Sequence, residues 1–296
     1  MGGDEDLVAR AARHGLRLDP ASLSYNDAGL DFRVAYATDV HGRDWVLRIP
    51  RRAGMRESLR AEEAALALAS RYLRDVAVPE WHVMSDDLIA YPLLSGRPGL
   101  TLTGDEVTWH VDPASERYAV ELGSLLAVLH SVPLAEAREV GVEVRSPEAV
   151  REAWRGDVAR VAGEFDVHPE LLDRLHAWLE DDELWPEATV FTHGELYPAH
   201  VLIDGGDAIT GVLDWTTARG DDPARDFMYQ YAFAPPEAFA ATLRAYTAAG
   251  GRDWGPRLAD RCAALMAAGP VGYGVYALTT GRPEHREAAQ AQLATV

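Results

Sequence analysis

The sequence predicts an α+β fold in two parts: a β-rich N-lobe over residues 1–91 and a mainly helical C-lobe over residues 92–296. Three observations predict it. Runs of β-branched and aromatic residues bounded by turn residues fall in the first ninety positions. Apolar residues at helical spacing dominate the rest. Within that helical part, one short pair of apolar runs around residues 201–213 reads as a hairpin. A chain of 296 residues is also too long for one typical core and suits two lobes.

Taken in order, residues 4–15 read as a short helix that opens on Asp4, Glu5 and Asp6 and closes on Gly15. Acidic side chains suit the positive end of the helix dipole, and glycine suits its stop. Residues 31–37 and 43–49 are strand-like and flank the turn Asp39-Val40-His41-Gly42, so they form a hairpin. Residues 56–74 are rich in Ala, Leu, Glu and Arg and form a helix. A second strand pair spans 80–84 and 88–94 across Ser85-Asp86-Asp87, and a connector follows at 91–96. Leu122, Leu125, Leu126 and Leu129 repeat at i, i+3, i+4 and i+7, one buried helix face. Later helices are expected near 148–163, 169–181, 236–249, 256–268 and 284–294.

The apolar content of 48% is ample for burial, and no low-complexity tract argues for disorder. No apolar run reaches the roughly 18 residues of a membrane span, and the acidic N-terminus has no apolar signal region. A cytoplasmic protein without a membrane partner is expected, and a monomer. A net charge of −19 disfavours nucleic acid, whose binding rests on neutralising phosphates. It is compatible with solubility and with an acidic cleft for a cationic substrate. All 28 basic residues other than histidine are arginine, so any task usually given to lysine falls to arginine. The lone Cys262 excludes an internal disulfide framework and reads as a buried structural thiol.

The most informative segment is Thr192-His193-Gly194-Glu195-Leu196-Tyr197-Pro198-Ala199-His200, followed by Val201-Leu202-Ile203, a Gly-Gly-Asp turn, and Ile209 to Leu213 ending on Asp214-Trp215-Thr216. The hairpin brings Asp214 back toward the start of its first strand, just after His200. With Glu195 this gathers three polar groups suited to phosphoryl transfer: one to orient an attacking hydroxyl, two to hold magnesium on phosphates. A zinc pair is a poor alternative. His193 and His200 are seven apart, share no helix face well, and no His-Glu-x-x-His pattern occurs.

This segment resembles the catalytic core of the aminoglycoside phosphotransferase group of protein-kinase-like enzymes. It is most similar to the macrolide 2′-phosphotransferases, whose pattern is His-Gly-Asp-Leu-His-Pro-Gly-His followed by Asp-Trp-Thr. The chain shares Leu196, Pro198, His200, Asp214, Trp215 and Thr216, but has Glu195 where that pattern has Asp. The resemblance runs from Asn26 to Gly281 and is most specific over 189–227. It implies a kinase-like two-lobed fold and transfer of the γ-phosphate of GTP, or ATP, to the 2′-hydroxyl of a macrolide amino sugar. It implies Mg2+ as cofactor, Glu195 as catalytic residue, and His200 and Asp214 as metal ligands. His193 and Asp226 would support the site.

The same resemblance implies nucleotide contacts from Val46, Arg48, Glu62, Tyr91, Leu93, Leu94, Leu202 and Leu213. Arg48 stands in Trp45-Val46-Leu47-Arg48-Ile49, where kinase-like folds place a phosphate-binding basic residue, and Glu62 is its expected helix partner. The loop 25–31 takes the place of a glycine loop. Phe227, Tyr231, Met266, Pro270, Tyr273, Tyr276 and Leu278 are the candidates for a large apolar substrate pocket. Two alternatives stay open: another small alcohol as acceptor, aminoglycoside or choline-like, and a pseudokinase impaired by Glu195.

Overall fold

The structure, a computed structural model, describes residues 2–27, 29–52, 54–103 and 106–295. The first elements are α1 (Gly2–Arg13), β1 (Ser24–Asn26), β2 (Phe32–Thr38), β3 (Asp44–Pro50), α2 (Arg56–Tyr72), β4 (Val83–Met84), β5 (Ile89–Pro92), β6 (Arg97–Pro98), β7 (Leu100–Thr103) and β8 (Glu106–Trp109). Then follow α3 (Glu116–His130), α4 (Leu134–Glu139), α5 (Pro147–Ala162), α6 (Pro169–Glu180), β9 (Val190–Thr192), β10 (Val201–Ile203), β11 (Ile209–Val212) and β12 (Arg219–Asp221). The chain closes on α7 (Ala224–Phe233), α8 (Pro236–Ala248), α9 (Leu258–Ala267), α10 (Gly269–Thr280) and α11 (Pro283–Leu293). No single helix among the described residues is long and apolar enough to cross a membrane.

The chain divides into two compact units, Met1–Asp112 with Pro198–Thr217, and Pro113–Tyr197 with Ala218–Val296. The sequence places the division at 91–92 and the 201–213 hairpin in the helical part. In the structure the hairpin belongs to the first unit, because its contacts lie there. Strand β10 pairs with β6 as well as β11, giving the order β11-β10-β6. The backbone N–H groups of Ala77 and Val212 donate across to Thr210 and Ala77 carbonyls at 2.9 Å each. Gly96 allows the approach of this connector: at φ +106, a Cβ there would meet Thr210 Oγ1 at 2.3 Å.

The first unit is built on an antiparallel sheet of order β1-β2-β3-β5-β4. Side chains alternate across it, as the period of a strand requires. Trp45 and Leu47 of β3 face a core with Leu7 and Ala11 of α1, Ala35, Ala37, Val83, Leu88 and Ala90. Val46 faces the opposite way, with Phe32, Met55, Leu59, Ile89 and Tyr91. The strand pair expected over 80–84 and 88–94 is shorter than read, and β7–β8 is a further hairpin that the sequence reading did not name.

The second unit is helical apart from the β9–β12 pair, which registers Thr192 with Arg219 and Val190 with Asp221. Helices α3 and α5 start where serine caps them: Ser115 Oγ accepts from Tyr118 N at 3.3 Å, and Ser146 Oγ from Ala149 N at 3.2 Å. All four leucines of the predicted stripe, Leu122, Leu125, Leu126 and Leu129, are buried on α3. At Gly123 a Cβ would meet Thr242 O at 2.3 Å, so glycine lets α3 lie directly on α8. Cys262 is buried, its Sγ near Ala224 O, and burial pushes its thiol up, as befits a structural residue.

Between α9 and the start of α7 lies a buried ion pair, Arg261 Nη2 to Asp222 Oδ1 at 3.0 Å. Burial pushes the Asp222 carboxyl above its ordinary range, against the pull of Arg261. Arg261→Met removes the cation and leaves a buried carboxylate. We expect a loss of about 3–5 kcal/mol in urea unfolding at neutral pH. A group with a raised folded-state pKa loses its contribution as pH rises, so the deficit of the variant shrinks on acidification, as Asp222 takes up a proton. An equal deficit at every pH would contradict this.

Candidate active site

Arg48 sits on β3 on the same face as Val46 and is buried. Its Nη1 donates to Glu62 Oε1 of α2 at 2.5 Å, both side chains being almost wholly enclosed. The guanidinium also lies over the Phe32 ring at 4.1 Å and faces Trp81 at 5.8 Å. Burial works against its charge, but the carboxylates of Glu62 and then Asp214 outweigh burial and hold its pKa above the ordinary arginine range. Burial pushes the Glu62 carboxyl up, Arg48 opposes this, and Asp214 adds to it. The helix partner named from the sequence is therefore the partner in the fold.

Asp214, two residues past the end of β11, has φ +57, a left-handed conformation that Asp tolerates better than most residues. Its Oδ1 accepts from Thr216 Oγ1 at 2.6 Å, a short local bond that fixes the carboxylate. Its Oδ2 lies 3.8 Å from His200 Nε2. The hairpin closes with Leu213 N donating to His200 O at 2.8 Å, which is why the two side chains meet. Magnesium is usually held by one or two carboxylates together with substrate phosphates and water. Among the described residues no group of three or more His, Cys, Asp and Glu could hold a metal. A hard carboxylate with an imidazole beside it fits an ion shared with phosphates.

Of the expected nucleotide contacts, Val46, Tyr91 and Leu202 are buried, Leu94 and Leu213 half-buried, and Leu93 exposed. All lie in the first unit with Arg48, Glu62, His200 and Asp214. Ala28, within the loop expected over 25–31, lies outside the described residues.

The turn after β9 carries His193, Gly194 and Glu195 in the second unit. Asp226, on the first turn of α7, accepts from His193 N at 3.0 Å and Gly194 N at 2.6 Å. Arg225 Nη2 donates to Gly194 O at 3.2 Å from the same helix. His193 is buried, and its Nδ1 accepts from Glu195 N at 3.3 Å. Gly194 has φ +85, which leaves the turn open only to a residue tolerant of that region.

The sequence reading missed the aromatic surroundings of Glu195. The Tyr197 ring packs at a tilt against Tyr229 and Phe233 of α7, at 5.3 and 6.0 Å between centroids. Burial raises the Tyr229 and Tyr197 phenols, and the Glu195 charge raises them further. The i, i+4 spacing of Tyr229 and Phe233 was the available signal.

The substrate candidates divide. Phe227 is no pocket wall: it has no exposed surface and packs edge-on against His130 and Tyr246, at 5.7 and 5.1 Å. Tyr231 is 37% exposed and packs on Phe239. Tyr273 and Tyr276 of α10 group with His285 of α11. Met266, Pro270 and Leu278 are half-buried.

The sequence profile of the phosphotransferase enzyme family (APH) matches residues 22–259. The chain belongs to this family. The phosphotransferase is 51% identical to the macrolide 2′-phosphotransferase MphH from Brachybacterium faecium, covering 100% of this chain and 99% of that one, with a TM-score of 0.89. It is 42% identical to a macrolide 2′-phosphotransferase type I, covering 99% and 97%, with a TM-score of 0.90. It is 36% identical over 285 residues to the uncharacterized protein YcbJ of Bacillus subtilis (strain 168), 95% of this chain and 92% of that protein. The phosphotransferase thus has the kinase-like fold expected from its sequence, a likeness of fold that reaches aminoglycoside phosphotransferases at 18% identity.

Proposed function

We propose that this phosphotransferase moves the γ-phosphoryl group of GTP, or of ATP, onto the 2′-hydroxyl of a macrolide amino sugar, an antibiotic-resistance reaction. The observation that carries the reading is the buried Arg48–Glu62 pair with Asp214 in its electrostatic field, on a chain 51% identical over its length to a macrolide 2′-phosphotransferase. A fixed cation and a carboxylate on one unit are what binding a nucleotide with its magnesium requires.

Arg48, held by Glu62 and by the faces of Phe32 and Trp81, presents its remaining donors to phosphate oxygens. Asp214, with His200 beside it, would hold magnesium, which would supply positive charge to neutralise the phosphates. Glu195 orients the acceptor hydroxyl and takes its proton. The net charge of −19 favours an acceptor with a protonated dimethylamino group. Tyr231, Met266, Pro270, Tyr273 and Tyr276 supply apolar contacts to the macrolide. Val46, Tyr91, Leu93, Leu94, Leu202 and Leu213 surround the base. The protein acts as a cytoplasmic monomer.

Arg48→Ala should weaken nucleotide binding at least tenfold, about 1.4 kcal/mol, and leave macrolide binding unchanged. Arg48→Lys falls between, because lysine keeps the charge and loses the stacking and the fork geometry. Isothermal titration with each substrate checks this, and unchanged nucleotide affinity in Arg48→Ala removes Arg48 from the site.

A second reading rests on Glu195, which replaces the aspartate of the family pattern: a protein that binds nucleotide without turnover. Thermal shift with GTP and magnesium, run beside a GDP-release assay with erythromycin and with kanamycin, separates the readings. Stabilisation with erythromycin-dependent release supports macrolide transfer. Stabilisation without release supports the second reading, and release with kanamycin alone indicates another acceptor.

A further inference from the structure

The turn that carries Glu195 hangs from Asp226, and Asp226 is itself held from behind. His130, the last residue of α3, places Nε2 at 3.1 Å from Asp226 Oδ2. Its Nδ1 lies 3.1 Å from Tyr246 Oη of α8. The Tyr246 oxygen in turn accepts from Trp254 Nε1 at 3.0 Å. His130 and Asp226 side chains are almost completely enclosed, and the imidazole meets Phe227 and Tyr246 edge-on at 5.7 and 5.5 Å.

The partners assign the protons of a neutral imidazole here. An ionised carboxylate only accepts, so His130 Nε2, facing Asp226 Oδ2, carries the hydrogen and donates to it. An indole N–H only donates, and that of Trp254 points at the Tyr246 oxygen, so the phenol proton is left for His130 Nδ1, which accepts. A hydrogen on Nδ1 would compete with the Trp254 N–H for that oxygen and leave Nε2 bare against a carboxylate. Asp226 Oδ2 receives His130 and the His193 N–H, while Oδ1 receives the Gly194 N–H, so the carboxylate has a fixed plane.

We infer that His130 is a positioning residue of the phosphotransferase, held as the Nε2–H tautomer by Tyr246 and Trp254, and that it sets through Asp226 the turn bearing Glu195. The effect on rate rests on the reading of Glu195 above; the tautomer does not. Carboxylate placement matters because a shift of about 1 Å at a reacting group can lower a rate on the order of 100-fold. Glutamine places its Nε2 near that of histidine and can still donate to Asp226, whereas leucine cannot.

The test has two arms on the full chain. Long-range proton–nitrogen NMR of the wild type should show His130 with Nδ1 unprotonated and Nε2 protonated. In Tyr246→Phe, which removes the donor, that preference should weaken. Kinetics should show His130→Leu with kcat lowered about 10- to 100-fold and both KM values within about twofold, and His130→Gln with much of the loss restored. Melting temperatures of the variants confirm that folded protein is compared. An Nδ1-protonated His130, or a His130→Leu enzyme with wild-type kcat, overturns the inference. Equal losses in His130→Leu and His130→Gln do so too. If wild type phosphorylates no macrolide, the functional reading fails instead, and the NMR arm still decides the tautomer.

Discussion

Replacing Asp214 by asparagine or alanine is expected to lower turnover by well over tenfold while the protein stays folded. The reason lies in the geometry around β11. Thr216 fixes one carboxylate oxygen at 2.6 Å, and the other faces His200 at 3.8 Å, so the carboxylate is held in place and would serve a bound cation. Neither variant offers an anionic oxygen there. The two differ in strain. Asp214 is left-handed at φ +57, a region asparagine enters readily and alanine does not. Asp214→Asn should therefore match wild type in melting temperature, and Asp214→Ala should fall below it. Steady-state kinetics with magnesium checks the rate. A variant retaining more than about a tenth of the wild-type rate, less than ~1.4 kcal/mol in barrier, removes Asp214 from metal binding.

The Glu195 variants carry the other large effect. Glu195→Gln cannot accept a proton and should be nearly inactive. Its binding of GTP and macrolide should change little, because the loss belongs to the transition state. Glu195→Asp restores the family pattern with a side chain shorter by one methylene. If the turn keeps the family geometry, turnover rises by about tenfold or more, given how steeply rate follows position. The turn is tied by both N–H groups to Asp226 and by Gly194 O to Arg225, which favours an unaltered backbone and hence a rise. A fall in Glu195→Asp would mean that the turn has adapted to glutamate. Wild-type turnover in Glu195→Gln would end the catalytic role of this position.

Much of this site could be read locally. Arg48 and Glu62 fall on a strand and a helix that periodicity predicts, but their pairing was an expectation from the resemblance to kinase-like phosphotransferases, and the structure shows it. The His200–Asp214 approach followed from a hairpin with an evident turn. What escaped depended on non-local packing. Strand β6 was invisible because it is two residues long and exists through its pairing with β10. The hairpin's place in the first unit follows from that same pairing. Helix α10 contains Gly269, Pro270, Gly272 and Gly274, residues that argue against a helix on propensity. Tertiary packing overrides that propensity, and Gly274 lets the helix lie close on α5, since a Cβ there would lie 3.0 Å from Val161. Phe227 was misplaced because spacing cannot tell a core aromatic from a pocket wall. Tyr229 was missed because it meets Tyr197 from another segment.

Transfer of phosphate to a macrolide is what the site is proposed to do. Erythromycin incubated with the protein, GTP and magnesium, then analysed by mass spectrometry with fragmentation, tests it most directly. One added phosphate is expected, carried on the amino-sugar fragment, and absent when Asp214→Asn replaces wild type. Unmodified erythromycin after exhaustive incubation of folded, nucleotide-binding protein would contradict it, as would a phosphate on the macrolide ring or the other sugar.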